Sequence, residues 1–245
     1  MKKQMSKRLL SWLLVTALLF TTMPVSFLTA YAEGIGDVIT ALTENTSEFL
    51  GGNGTEENPY LISTKVHLNN VRKYLDAHFK MVADIEFTED DFAEGGDFYN
   101  EGQGWEPIGT DESSAFTGVF DGDGHTIAWL ICHRNVYAGL FGWNTVDIKN
   151  LNMLETDISS LSASTSYAGG IVGVSSGSID GCTNTAGNVK AVYAGGIVGY
   201  NNDGIIKNCV NTSSISNDST RPSARIGGIA GHSYCYYRYG YRNRA

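Results

Sequence analysis

The chain has 245 residues, with 17 Lys+Arg against 26 Asp+Glu, 42% hydrophobic residues, 29 Gly, 4 Pro and 4 Cys. Such a length fits one or two domains of ordinary apolar content. The acidic balance argues against nucleic acid as a partner, because that role calls for a basic face. Four Cys are too few for a disulfide-dense scaffold, and so much Gly with so little Pro points to tight turns rather than a flexible linker.

Residues 1–32 read as a signal peptide. Lys2, Lys3, Lys7 and Arg8 precede the apolar run 9–20, and Ala30-Tyr31-Ala32 then offers a cleavage site before Glu33. The apolar run is short for a membrane span, which needs about 20 residues, and no later stretch approaches one. The expected location is therefore secreted or cell-surface. Charge is uneven beyond the leader: residues 33–120 carry 18 acids and 4 bases, whereas 121–245 carry 8 and 9. Most of that acidity is expected to be a solvated face.

An acidic segment spans 33–104, and within it STKVHLNNVRKYLDAHF at 63–79 has a helical period. Val66, Val71, Leu75 and Phe79 share a face, Leu68 lies beside it, and Ser63 or Thr64 suits the N-cap. The expectation is a helix near 64–79 that covers the open end of whatever stack follows. FTGVFDGDGHTIAWLIC at 116–132 alternates apolar residues around a glycine corner and reads as the first coil of that stack.

Internal repeats follow. YAGLFG at 137–142, YAGGIVG at 167–173 and again at 193–199, and RIGGIAG at 225–231 align on Gly142, Gly173, Gly199 and Gly231, in steps of 31, 26 and 32. A second element follows the first three copies, in which Ile148, Ile179 and Ile206 correspond, as do Leu151, Cys182 and Cys209. Glycine pairs would cost a helix about 1 kcal/mol per glycine, and propeller blades run nearer 40 residues. Short apolar strands with elastic corners instead predict an all-β, right-handed parallel β-helix over 105–232, two or three strands to a unit, each unit stacked on the next.

The series GGNGTEENPYLIS at 51–63, HFKMVADIEF at 78–87, GWEPIGT at 104–110 and FTGVFDGDGHTI at 116–127, together with the YAGLFG and YAGGIVG copies, resembles the GLUG-motif repeat family. The resemblance covers about 51–232. It implies a pectin-lyase-like solenoid in a secreted or surface bacterial protein, adhesin-like in some members. Similar repeats also sit beside catalytic domains in IgA-specific metallopeptidases. The family supplies no shared catalytic residues.

Residue chemistry yields few sites. Asp121, Asp123 and His125 suggest calcium, but the further oxygen ligands of a calcium loop are missing, and a tight corner is the preferred reading. No cofactor is expected. The run Glu89-Asp90-Asp91 lacks evidence of two carboxylates facing across a cleft. Gly231-His232 and Arg225-Ile226 lack the neighbours that a β-helical polysaccharide-cleaving site needs. His67, His78, His125, His133 and His232 show no compact metal spacing. Cys182 and Cys209 replace a leucine and are expected as stacked free thiols rather than a disulfide, while Cys132 and Cys235 have no evident partner. Asn184 and Asn211 suggest an asparagine ladder, and Tyr137, Tyr167 and Tyr193 a stacked column. Trp129 and Trp143, expected at corners or strand ends, are the candidates for stacking on sugars.

The segment 233–245 loses the repeat and fills with Tyr and Arg, as a truncation or frameshift would produce. These features favour a non-enzymatic surface protein that binds a glycan or a host or matrix protein through a solenoid face. The alternatives are a non-catalytic segment of a larger surface peptidase and a fragment of a polysaccharide-active enzyme. An uncapped last coil also predicts self-association.

Overall fold

The computed structural model describes residues 48–160, 165–217 and 223–234. The signal segment 1–32, Cys235 and the rest of the Tyr/Arg-rich tail lie outside them. Ser233 and Tyr234, at the head of that tail, continue a strand.

The chain enters through β1 (Tyr60–Ile62) and then α1 (Lys65–Asn70), where the Thr64 side chain accepts a hydrogen bond from the His67 N–H at 3.1 Å. A 3-10 turn over Val71–Lys73 ends this helical cap. The helix expected over 64–79 is therefore shorter: the backbone leaves helical geometry at Tyr74, and His78–Met81 forms β2 with Phe79 and Met81 facing inward. Over these residues the two-residue alternation of a strand overrides the helical period. Leu68 and Val71 are fully buried, whereas Val66 is 38% exposed.

After β3 (Ile85–Glu86) comes a short helix, α2 (Glu89–Phe92), within an excursion that leaves the stack. The first complete coil follows as β4 (Val119–Asp121), β5 (Thr126–Ala128), β6 (Ile131–Arg134), β7 (Tyr137–Ala138) and β8 (Phe141–Asn144). The second is β9 (Ile148–Lys149), β10 (Asn152–Leu154), β11 (Asp157–Ser160), β12 (Tyr167–Gly169) and β13 (Val172–Ser175). The third is β14 (Ser178–Asp180), β15 (Thr183–Thr185), β16 (Asn188–Lys190), β17 (Tyr193–Gly195) and β18 (Val198–Asn202). The fourth is β19 (Ile205–Lys207), β20 (Val210–Asn211), β21 (Ser214–Ser216), β22 (Arg225–Gly227) and β23 (Ala230–Tyr234).

Each strand pairs in parallel with its equivalent one coil away, which makes five sheets, ordered β1-β2-β4-β9-β14-β19, β3-β5-β10-β15-β20, β6-β11-β16-β21, β7-β12-β17-β22 and β8-β13-β18-β23. This is the parallel β-solenoid that the repeats predict. Its sheets extend upstream of residue 105 through β1, β2 and β3.

Each coil has five strands rather than the two or three expected, because most corners need no loop. Between the first and second sheets a single left-handed residue turns the chain in successive coils: Asn150, Gly181 and Asn208, at φ 53°, 64° and 54°. Asn and Gly are the residues that adopt this conformation at least cost. Between the second and third sheets the same job falls to Trp129, Glu155 and Ala186.

The core runs as columns along the axis. In the first sheet Phe79, Phe120, Ile148, Ile179 and Ile206 stand in register. In the fifth, Phe141, Val172, Val198 and Ala230 do so. Leu151 and Cys182 are fully buried and Cys209 is partly buried. Cys182 and Cys209 are free thiols in consecutive coils. Cys182 Sγ donates to the Asp180 carbonyl at 3.5 Å and Cys209 Sγ to the Lys207 carbonyl at 3.2 Å.

Asn184 and Asn211 are in register, and their amides satisfy backbone groups. Asn184 donates from Nδ2 to the Gly196 carbonyl at 2.9 Å and accepts from the Thr156 hydroxyl. Asn211 bonds the backbone of Ser213. The reason is local: the interior at the glycine pairs leaves backbone carbonyls facing the amide, and a buried carbonyl needs a donor.

Gly142, Gly173, Gly199 and Gly231 stack where the fourth and fifth sheets approach. A Cβ on Gly199 would lie 2.7 Å from both the Ala168 nitrogen and the Gly173 carbonyl oxygen. On the outside of the first sheet, Lys80, Asp121, Lys149, Asp180 and Lys207 stand in register with alternating charge. Lys149 reaches Asp121 at 3.4 Å, and Lys207 reaches Asp180 at 3.3 Å.

Candidate functional site

The excursion between β3 and the first complete coil builds one wall of a groove. Thr88 starts α2, and both its N–H and its hydroxyl donate to Asp91, at 2.6 and 2.8 Å. Acidic residues in the first turn also suit the helix N-terminus. Asp91 bonds Lys65 at 2.6 Å as well. Burial opposes ionisation there, but the bonds from Lys65 and Thr88 win and hold the Asp91 carboxyl below its ordinary value. Of the sequence run Glu89-Asp90-Asp91, then, Asp91 is a structural tie and Glu89 is left facing the groove.

Behind α2 a small aromatic core fixes the wall. Phe87 lies 5.3 Å from Phe92, 5.2 Å from Phe98 and 5.9 Å from Trp105 between ring centroids. Trp105 is fully buried, donates from its indole to the Leu140 carbonyl, and carries the Arg72 guanidinium 4.9 Å above its ring. The chain rejoins the stack at Gly104, whose φ is 72° and whose missing side chain would meet the Ile131 carbonyl oxygen at 2.4 Å.

The other wall is the corner between β5 and β6. Trp129 sits there at φ 58° and 44% exposed. A bulky residue in the left-handed region is an outlier that costs roughly 1–2 kcal/mol. Its backbone N–H donates to the Leu154 carbonyl, and its indole N–H donates to Glu155 at 2.6 Å. Together the walls flank a half-open cavity of about 470 Å³ lined by Phe87, Glu89, Phe92, Trp129, Glu155 and Asp157, with Thr88 and Ile131 between them. Asp157 bonds His133 at 3.2 Å, which holds its carboxyl below the ordinary range.

Trp143 is elsewhere. It lies inside β8 rather than at a corner, partly buried and edge-on to Tyr137 at 5.5 Å. Tyr137, Tyr167 and Tyr193 stack at 5.7 and 5.1 Å, and Tyr200 abuts Tyr167 edge-on at 5.5 Å. Stacked rings cover each other's faces and present edges, so this aromatic face offers a sugar little to lie on. The two tryptophans thus belong to different places, and Trp129 is the one with an open ring beside a cavity.

The Asp121–His125 segment is a tight corner, with Asp123 and Gly124 at φ 50° and 83°. Its acidic groups already have partners: Asp121 meets Lys149 and Asn150, and Asp123 meets Lys80 at 3.0 Å. His125 pairs with Asp84 at 3.0 Å. His232 is bonded by Arg225 at 2.8 Å. Among the described residues, no group of three or more His, Cys, Asp and Glu is placed to hold a metal ion. No described helix is long and apolar enough to cross a membrane.

Comparison with known proteins agrees with this architecture. Residues 191–216 match the GLUG motif. That span runs from the strand of Tyr193 through β21, which is one turn of the solenoid. The chain is 45% identical over 102 residues to a protein of Evansella cellulosilytica described as a Gly-rich membrane protein, covering 40% of this chain and 11% of that one. It is 40% identical over 98 residues to Halomucin of Haloquadratum walsbyi, covering 37% of this chain and 1% of that protein. The match therefore spans a small part of both relatives. A solved structure described as an immunoglobulin A1 protease from Bacteroides ovatus shares the fold, with a TM-score of 0.53 at 22% identity over 77% of this chain and 66% of that one. The chain thus carries a GLUG motif on a parallel β-solenoid.

Sequence reasoning names Trp129 and singles out Glu89 in its acidic run, but does not bring the two together or find the rest of the groove. Glu155 falls one coil after Trp129, and the register of Leu154 with Ala128 places it beneath. The repeat alignment could have found it. Phe92 and Glu89 come from the excursion, outside any repeat, and carried no such signal.

Proposed function

We propose that this is an exported, surface-displayed repeat domain that works by adhesion rather than catalysis, holding a glycan in the Trp129 groove. The observation that carries the reading is Trp129 itself: an exposed indole beside a cavity within the roughly 300–1,000 Å³ typical of small-molecule sites. The groove walls are aromatic with a few polar groups, the composition expected of a sugar site.

The test is a glycan and matrix-protein array probed with the purified protein, the Trp129→Ala variant and the Trp143→Ala variant. Saturable binding lost in Trp129→Ala and kept in Trp143→Ala is expected. Equal loss in both, or binding untouched by Trp129→Ala, would defeat the reading. A second reading, in which such coils are modules of a longer surface protein, is favoured by the small share of each relative that the match occupies.

A further inference from the structure

We propose that the Trp129 groove is selective for an amine-bearing sugar, a hexosamine whose nitrogen is free and protonated, carried in a glycan chain. This rests on the glycan reading above and narrows it to a ligand class.

The groove's side chains are unbalanced in charge and in hydrogen-bonding sense. Glu89, Glu155 and Asp157 line it, and no Lys or Arg does. Lys65 is bonded to Asp91 while lying 5.7 Å from the Phe87 ring centroid, and His133 is bonded to Asp157. With Asp157 bonded to His133, Glu89 and Glu155 remain. Carboxylates only accept hydrogen bonds, and the indole N–H of Trp129 is committed to Glu155.

A neutral sugar hydroxyl both donates and accepts, so the side chains of this groove would leave its acceptor half unanswered. An ammonium has three donors and no acceptor, which matches what the walls offer. The aromatic lining adds to the match. A cation over an indole or phenyl face is attracted by the ring quadrupole, most strongly over Trp. The apolar face of the pyranose ring can then lie against Trp129, with the charged nitrogen toward Glu155 and Glu89. Sialic and uronic acids are disfavoured by the same three carboxylates.

The experiment is isothermal titration calorimetry of the purified protein with three β-1,4-linked oligosaccharides of equal length: the glucosamine oligomer, its N-acetylated counterpart and the glucose oligomer. An oligolysine of matched charge is the fourth ligand. The glucosamine oligomer is expected to bind saturably, about tenfold or more tighter than the other two sugars, and to weaken as ionic strength rises. Trp129→Ala is expected to abolish binding. Glu89→Gln, on the exposed α2, should reduce affinity for the glucosamine oligomer alone, with circular dichroism confirming that both variants are folded.

Equal affinity for the three sugars would overturn the charge selectivity and leave the glycan reading intact. Oligolysine binding as tightly as the glucosamine oligomer would overturn the assignment to a sugar. Absence of binding to all four ligands would overturn the proposal.

Discussion

The two ends of the solenoid are built from the same coil but filled differently. Toward the N-terminus the interior columns hold Phe79, Phe120 and Phe141, all essentially inaccessible to water. One to three coils later the same positions hold Ile, Val and Ala, and the second-sheet column passes from Ile85, Ile127 and Met153 to Asn184 and Asn211. Bulky rings have to fit individually, so the N-terminal part is irregular in sequence and tolerates an excursion. Small side chains repeat easily, and the later coils therefore look alike. The repeats supply the shaft, while one wall of the groove comes from the irregular part and the other from the corners of the first two coils.

The largest test of this contrast is truncation of the aromatic columns. Phe120→Ala removes a fully buried ring that packs 5.4 Å from Phe141 and should cost about 3–5 kcal/mol in urea unfolding. Ile206→Ala, its partly buried counterpart in the fourth coil, should cost under about 2 kcal/mol. Equal losses would mean that the two ends are not packed differently.

Next comes the polar part of the column. Asn184→Ala leaves the Gly196 carbonyl without its donor and should lose about 1–3 kcal/mol, with no gain in apolar packing to offset it. A neutral outcome in thermal unfolding would show that the amide is incidental.

Acid should act on both ends through the coil-to-coil carboxylates. Asp121 is opposed by burial but held down by the Asp123 N–H, Asn150 and Lys149, and Asp180 is held down by Asn208 and then Lys207. Their folded values lie below the ordinary 3.8. The stability they contribute is thus present above that value and is lost as pH falls through the lower folded one. A melting temperature flat near neutrality that drops below about pH 4 is expected; a drop that begins well above that range would point to other groups.

The smallest effect concerns a single charge. Lys149→Glu sets three acids in a row with Asp121 and Asp180 and should cost about 0.2–1 kcal/mol, largest at low salt.

Sequence alone made the shaft legible because a stacked fold writes its register into spacing. The steps between Gly142, Gly173, Gly199 and Gly231 match the pairing of Val172 with Phe141 and Val198. The five-sided cross-section was not legible, since corners turned by one left-handed residue such as Asn150 or Glu155 leave no loop to notice. Nor was the end of the helix, where the alternation of Phe79 and Met81 competes with a helical period over the same letters. Trp129 stood out as an aromatic at a corner. Its groove did not, because the opposing Phe92 is brought there by ring packing among Phe87, Phe98 and Trp105, which no local pattern encodes.

The alternating charges on the first sheet act as a parity check on coil number. Lys80, Asp121, Lys149, Asp180 and Lys207 repeat only every second coil. Loss of one coil, or a slip by one during folding, would set Lys beside Lys or Asp beside Asp. Loss or gain of two restores the match.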